Sequence, residues 1–310
     1  MTTAIELNGL TKTYGGRRGL AGLTLRVEAG EVFGYLGPNG AGKSTTIRLL
    51  LDLIRPTSGT ARVLGLDPRA DAVALHRRIG YLAGDFVVDG RQRAGECLAF
   101  LADLRGGVPA SRITGLADRL ELDLTARIRS LSKGNRQKVG LVQAFMHEPE
   151  LLILDEPTSG LDPLVQQTFL DMVAEAREDG RTVFMSSHIM SEVEAVADRV
   201  GIIREGRLVA LDTVANLRAR SSLRVRLTFA APVRPEPFAA LPAVADVIVD
   251  PAGTTLTCRV EGSPDALVKA AAGHTVTGLS ADAQDLDELF RGFYTGETGE
   301  TGEHGSGQAA

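Results

Sequence analysis

Cysteine is nearly absent from this 310-residue chain, with Cys97 and Cys258 the only two. Two such distant thiols supply neither metal-ligand spacing nor a disulfide framework. Small stapled scaffolds are thereby excluded, and a reducing compartment is expected. Long apolar runs are missing as well. No stretch approaches the ~18 apolar residues that a membrane span requires. The start, Met1-Thr2-Thr3-Ala4, carries neither the basic nor the apolar region of a secretory leader. Any membrane role is therefore expected to come through a partner. Surplus positive charge is also lacking: the formal net charge is −5, so no global basic field recruits nucleic acid. Lysine is scarce, 5 against 29 arginines, a usage that suggests a GC-rich coding sequence and says nothing of mechanism.

What is present is ordinary globular material, 44% hydrophobic and 24% charged, at a length that allows two domains. The charge is uneven. Residues 221–310 hold 6 Lys/Arg against 12 Asp/Glu, whereas residues 1–220 hold 28 against 27. Short strand patterns open the chain at Ile5–Leu7, Leu23–Val27 and Val32–Leu36, the last running through glycines into a helix over Lys43–Leu53. Thr60–Leu64 and Ile79–Leu82 read as further strands. Residues 91–147 change to helical spacing. Leu151–Leu154 and Thr182–Ser186 are continuous apolar runs of the kind buried on both faces of a parallel sheet. Val200–Ile203 and Arg207–Leu211 flank the hairpin signal Glu205-Gly206. The alternation predicts an α/β domain with a mostly parallel core sheet over 1–220 and a helical lobe at about 91–147. A boundary is expected near Ala219–Leu223. Beyond it a β-α-β-β-α-β order predicts a small α+β, ferredoxin-like C-terminal domain over 221–294. Leu286, Leu289, Phe290 and Phe293 mark one face of a closing helix. Residues 295–310, with Thr-Gly-Glu three times, are expected to be disordered.

Three motifs carry chemistry. Gly37-Pro38-Asn39-Gly40-Ala41-Gly42-Lys43-Ser44, followed by Thr45, matches the phosphate-loop pattern in its required setting between a strand and a helix. Its glycines let backbone N–H groups wrap phosphates, and the helix N-terminus adds a favourable dipole. Lys43 is placed to reach the β- and γ-phosphates and Ser44 to ligate Mg²⁺. Average residue usage gives a chance match in on the order of one chain in a hundred. Downstream, Leu151-Leu152-Ile153-Leu154-Asp155-Glu156 is an apolar strand ending in two carboxylates. Successive strand residues point oppositely, so this strand must break at its end to present both. Asp155 is then placed for the Mg²⁺ shell and Glu156 for polarising an attacking water. Between the two lies Leu131-Ser132-Lys133-Gly134-Asn135, a glycine-bearing Ser turn that opens a helix.

In this order the motifs resemble an ATP-binding cassette (ABC) subunit of a membrane transporter, over about residues 4–220. Leu131–Asn135 is similar to the family signature, usually Leu-Ser-Gly-Gly-Gln. Ser159-Gly160-Leu161-Asp162 resembles the D-loop, His188 sits at the switch histidine, and Tyr14 sits where an aromatic stacks on adenine. The resemblance implies that two subunits pair head to tail around two ATP molecules. Ser132 and the Gly134 backbone would contact the γ-phosphate held by the other subunit. Asp162 would link the two sites, and His188 would contact the γ-phosphate and orient Glu156 and the water. A separate transmembrane permease would follow the movement of the helical lobe, which implies a place at the cytoplasmic face of the membrane. No nucleic-acid partner is expected. Plainer readings stand beside some of these: Tyr14 as a surface packing residue, and Asp162 as the cap of a helix beginning at Pro163.

Two departures from the family pattern are visible. Gly84 occupies the slot of a Gln that touches Mg²⁺ and water, and Asp85 is the candidate replacement, since Mg²⁺ accepts carboxylate oxygen. Lys133 and Asn135 replace Gly and Gln in the signature. Lys133 either faces the partner's phosphates or is solvated. The signature variant, the short C-terminal domain closing on Asp287-Glu288-Leu289-Phe290, and a general likeness to daunorubicin-exporter ATPases favour an exporter of a drug, antibiotic or lipid-like substrate. The C-terminal domain is either a dimer or regulatory module or packing for the cassette. The competing class is a soluble ABC ATPase working on ribosomes or nucleic acid. Members of that class usually carry two cassettes, coiled-coil arms or zinc cysteines, whereas this chain has one phosphate loop and none of those features. A small GTPase or nucleoside kinase would leave Leu131–Asn135 unexplained.

Overall fold

The computed structural model describes residues 2–88, 90–220 and 222–283. The closing helix expected around Leu286–Phe293 and the tail at 295–310 lie outside them. The described chain divides into two compact units between Val214 and Ala215, at the start of a helix.

The first unit begins with β1 (Thr3–Tyr14), β2 (Arg17–Glu28), β3 (Val32–Leu36), α1 (Lys43–Leu50), β4 (Ser58–Val63), α2 (Ala72–Arg78) and β5 (Ile79–Leu82). A helical stretch follows: α3 (Ala94–Leu104), α4 (Ala110–Arg119), a 3₁₀ turn at Ile128–Ser130, and α5 (Lys133–Phe145). The unit closes with β6 (Leu151–Asp155), α6 (Pro163–Glu178), β7 (Thr182–Ser187), α7 (Met190–Val196), β8 (Arg199–Arg204) and β9 (Arg207–Thr213).

Six strands form the core sheet in the order β5-β6-β7-β3-β8-β9. All pairings are parallel except β8–β9, whose hairpin turns through Glu205 and Gly206, both at positive φ. Every residue of β3, β6 and β7 is buried, which is why these strands read as unbroken apolar runs rather than as alternating ones. Phe33 and Tyr35 of β3 pack on Phe184 of β7, with ring centroids 5.7 and 5.2 Å apart. Each such fully buried side chain contributes about 1.5–3 kcal/mol. A second, antiparallel sheet has the order β2-β1-β4. Its first two strands are far longer than the short patterns Ile5–Leu7 and Leu23–Val27 suggest. The register slips between Leu7 and Leu10, so the period-2 signal breaks although the strand continues.

Arg105, at the end of α3, ties the helical stretch to the core. Its Nη1 donates to the carbonyls of His76 and Ile79, each at 3.3 Å, and lies 2.8 Å from Nε2 of His147, which itself lies 3.1 Å from the Ile79 carbonyl oxygen. Burial, and then the neighbouring Arg105 charge, hold the His147 pKa down at about 4.

The division falls after the first residue of α8 (Val214–Arg220), and the second unit continues with β10 (Ser222–Phe229), α9 (Glu236–Ala239), β11 (Val244–Val249), β12 (Thr255–Glu261), α10 (Asp265–Ala271) and β13 (Val276–Ala283). Its strands form one antiparallel sheet in the order β11-β12-β10-β13. β12 thus inserts between the two strands joined through α9, the split arrangement of a ferredoxin-like domain. Val225, Leu227, Phe229, Leu256, Cys258 and Val260 line its buried face with Phe238 and Leu267.

Candidate nucleotide site

The site lies where the parallel strands end. Leu36 of β3 pairs with Ser187 of β7, and Asp155 of β6 with Ser186. The loops leaving β3, β5, β6 and β7 therefore emerge at one edge, the place where open α/β sheets bind ligands. A cavity of about 450 Å³ opens there. Its walls include Pro38, Asn39, Gly40, Gly42, Lys43, Ser44, Thr45 and Arg48 on one side, with Gly84, Asp85, Asp155, Glu156 and Ser159 on the other.

The phosphate loop has the backbone that its glycines permit. Gly42 has φ +114°, and a Cβ there would lie 2.8 Å from the Gly19 carbonyl oxygen. An L side chain is thus excluded twice, by conformation and by space. Gly37 and Ala41 do not line the cavity, and a Cβ on Gly37 would lie 2.4 Å from the Ile203 carbonyl oxygen. Lys43 is buried, donates to the Gly37 carbonyl at 2.6 Å, and pairs with Oε1 of Glu156 at 3.0 Å.

The break expected after β6 is present and has a specific form. Asp155 ends the strand, and Glu156 takes φ +50°, a left-handed conformation rare for a residue of its kind. Two hydrogen bonds hold it there: its N–H donates at 3.2 Å to both the carbonyl and the hydroxyl of Ser186. The same hydroxyl donates to Oδ1 of the buried Asp155 at 2.6 Å. Nδ1 of His188 donates to Oε2 of Glu156 at 2.5 Å. The Glu156 carboxylate is therefore gripped by an ammonium on one oxygen and an imidazole on the other. His188 itself remains 48% exposed.

The signature turn is built around a cap and a close approach. Ser132 caps α5, its hydroxyl accepting from Asn135 N–H at 3.2 Å. Gly134 presses on the loop after Glu156 so closely that a Cβ would fall 2.2 Å from the Gly160 carbonyl oxygen. Lys133 is exposed, and its Nζ donates to the Ser159 hydroxyl at 2.9 Å. Asp162 caps α6 through Val165 N–H at 3.1 Å, which holds its carboxyl below the usual range. Ser132, Gly134 and Asp162 do not line the cavity of their own chain.

Tyr14 does not line it either. Its ring, 45% exposed, covers Gly19, which does, and Lys12 Nζ lies 5.2 Å from the ring centroid. Asp85 lines the cavity on its exposed side, and Gly84 lies so near Asp155 that an added Cβ would be 3.4 Å from the carboxylate.

Several contributors carry no motif. The buried Gln137 amide donates to the carbonyls of Glu156 and Pro157, each at 3.2 Å. Its signal was a polar residue four positions before Leu141, on the apolar stripe of α5. Ser186, Ser187 and Thr158 are buried hydroxyls around the same loop. Glu192 of α7 accepts from Thr158 and from Ser187, and only the fold brings these three together.

Chemically, one wall offers backbone donors, a helix N-terminus and Lys43, which suit a polyphosphate. The other offers Asp155 and the Glu156–His188 pair. Ser44 hydroxyl and Asp155 carboxylate form a hard oxygen donor pair that fits Mg²⁺, a cation that retains waters and phosphate oxygens in its shell.

The comparisons with known proteins agree with this geometry. The family profile "ABC transporter" matches residues 20–159. The chain is 37% identical over 303 residues to the daunorubicin/doxorubicin resistance ATP-binding protein DrrA of Streptomyces peucetius, covering 93% of this chain and 92% of that one. It is 37% identical over 224 residues to the bacitracin transport ATP-binding protein BcrA of Enterococcus faecalis, covering 71% and 73%. A solved ATP-binding subunit of an ABC transporter superposes with a TM-score of 0.64 at 31% identity, over 70% of this chain and 92% of that one. A dimeric cassette in a post-hydrolysis state with ADP and Pi shares the fold, with a TM-score of 0.63 at 22% identity over 68% and 98%. With the phosphate loop, the carboxylate pair and the signature turn set on this sheet, and relatives matched along most of both chains, the protein belongs to the ABC transporter family and is an ATP-binding, ATP-hydrolysing cassette subunit.

Proposed function

We propose that this cassette powers export of a drug, antibiotic or lipid-like substrate through a separate membrane permease at the cytoplasmic face of the membrane, and that two copies act together. The observation that carries the export reading is the match to a drug-resistance ATP-binding protein over 93% of the chain, which includes the C-terminal unit. Among the described residues no helix is long and apolar enough to cross a membrane.

In this reading the phosphate loop, Gly37 to Thr45, binds the ATP phosphates, and Tyr14, covering Gly19, stacks on the adenine. Lys43 exchanges its present acceptors, the Gly37 carbonyl and Glu156, for phosphate oxygens. Ser44 and Asp155 hold Mg²⁺, with Asp85 nearby, and the ion supplies charge neutralisation at the β- and γ-phosphates when bound. Once Lys43 leaves it, Glu156 is free to take a proton from the attacking water. His188 keeps the Glu156 carboxylate oriented through Oε2. Ser132 and Gly134, which do not line their own cavity, complete the site of the second subunit, and Asp162 links the two sites. The C-terminal unit serves as a dimer or regulatory module.

The test is co-purification of the chain with a multi-span membrane subunit, followed by ATPase assay with candidate drugs. Stimulation of turnover by drug in the complex supports export. A chain that binds no membrane subunit and is stimulated by ribosomes or nucleic acid would overturn it.

A further inference from the structure

We infer that Glu192 is a positioning residue that clamps the catalytic glutamate loop to the histidine loop; this rests on the roles proposed above for Glu156 and His188. The geometry is a two-sided carboxylate bridge. Oε1 accepts from the Thr158 hydroxyl at 2.7 Å and Oε2 from the Ser187 hydroxyl at 2.7 Å. Both hydroxyls are buried, so neither finds water as a substitute partner, and leaving them unmet is costly.

Each hydroxyl sits at a point of leverage. Thr158 belongs to the turn that starts at Glu156, where Ser159 N–H donates to the Glu156 carbonyl at 3.1 Å and Leu161 N–H to the Thr158 carbonyl at 3.0 Å. Ser187 immediately precedes His188, and its Oγ also accepts from Ile189 N–H at 3.0 Å. The backbone is therefore pinned on both sides of His188. The 2.5 Å contact between His188 and Glu156 joins two loops from different strands, and Glu192 adds a tie farther along both loops than the Glu156 N–H bonds to Ser186. A Glu in the first turn of α7 is also favoured by the helix dipole. That effect needs no partner and does not explain why both oxygens are engaged.

The loss of the clamp lets the two loops move independently, and small misplacements of reacting groups are expensive in rate. In the full-length chain, Glu192→Ala is expected to lower kcat by about 10- to 100-fold and to leave the KM for ATP within about twofold, since no phosphate-loop residue is touched. Glu192→Gln, which keeps an acceptor for one hydroxyl, should recover most of that loss. Thr158→Val, which removes one arm in an equal volume, should fall between wild type and Glu192→Ala. In a His188→Ala background, Glu192→Ala should cost less than about twofold more, because the pair it aligns is already broken. An unchanged kcat in Glu192→Ala overturns the inference, as does an equal loss in the His188→Ala background, which marks general structural damage. If His188→Ala and Glu156→Gln keep wild-type turnover, the reading of the site itself falls. If those two are impaired and Glu192→Ala is not, only the clamp falls.

Discussion

Gly134→Ala tests why glycine stands in the signature turn. The glycine has a role within its own chain, because an added Cβ would lie 2.2 Å from the Gly160 carbonyl oxygen. Carbon and carbonyl oxygen rest at about 3.3 Å or more, so the turn and the loop must part by about 1 Å. No flexible side chain can absorb this, since the obstacle is backbone. The turn is held by Gln137, which grips the Glu156 and Pro157 carbonyls, and the loop by the Asp162 cap of α6. Overpacking of this kind costs about 1–3 kcal/mol, or about 2–12 °C in melting temperature for a unit of this size. The shift reaches Glu156 through Gln137, and a displacement near 1 Å lowers turnover about 10²-fold. The assay is thermal unfolding without nucleotide, beside steady-state ATP hydrolysis. Lys133→Ala, which removes only an exposed hydrogen bond to Ser159, is the control and should move stability by less than about 0.5 kcal/mol. A wild-type melting temperature for Gly134→Ala would refute the packing account and leave only the phosphate contact across the dimer to explain the glycine.

Other outcomes follow from the same geometry. Ser186→Ala removes the donor to the buried Asp155 carboxylate and one partner of Glu156 N–H; stability should drop by about 1–3 kcal/mol and Mg²⁺ dependence should shift to higher concentration, and an unchanged Mg²⁺ titration would count against it. His147 has a folded pKa of about 4 against an ordinary 6.5, so the unfolded chain binds the extra proton between those values. Its contribution is full above pH 6.5 and is lost as pH falls toward 4, worth about 1–3 kcal/mol after screening at a part-exposed site. Chemical denaturation across that window should show the slope, and His147→Gln should flatten it; an equal slope in the variant would contradict the assignment. Asp85→Ala should lower turnover and Mg²⁺ affinity if Asp85 stands in for the missing Gln, and wild-type values for both would remove it from the site.

The parts of this molecule that were legible in sequence are those whose signal is local. Gly37–Ser44 and Leu151–Glu156 announce themselves because loop wrapping and double-sided burial each demand a particular local composition. Even the break after Asp155 could be anticipated, since two adjacent carboxylates cannot share one face of a strand. The length of β1 could not, because its bulge between Leu7 and Leu10 erases the period. The helix α2 was also missed: Ala72–Arg78 buries only Leu75, too little to leave a stripe. At the site, Ser186, Thr158 and Glu192 carry no motif, and their function arises from register, with β6 and β7 ending level. Lys133 shows the limit most clearly. Its hydrogen bond to Ser159 exists only because the signature turn folds onto the loop after β6.

The central claim, that the site is completed by a second copy, is tested most directly with Glu156→Gln at saturating ATP and Mg²⁺, followed by light scattering on a sizing column. The account predicts a nucleotide-dependent dimer that Ser132→Arg disperses, since Ser132 is exposed and does not line the cavity of its own chain. A monomer at every ATP concentration, with binding intact, would contradict it.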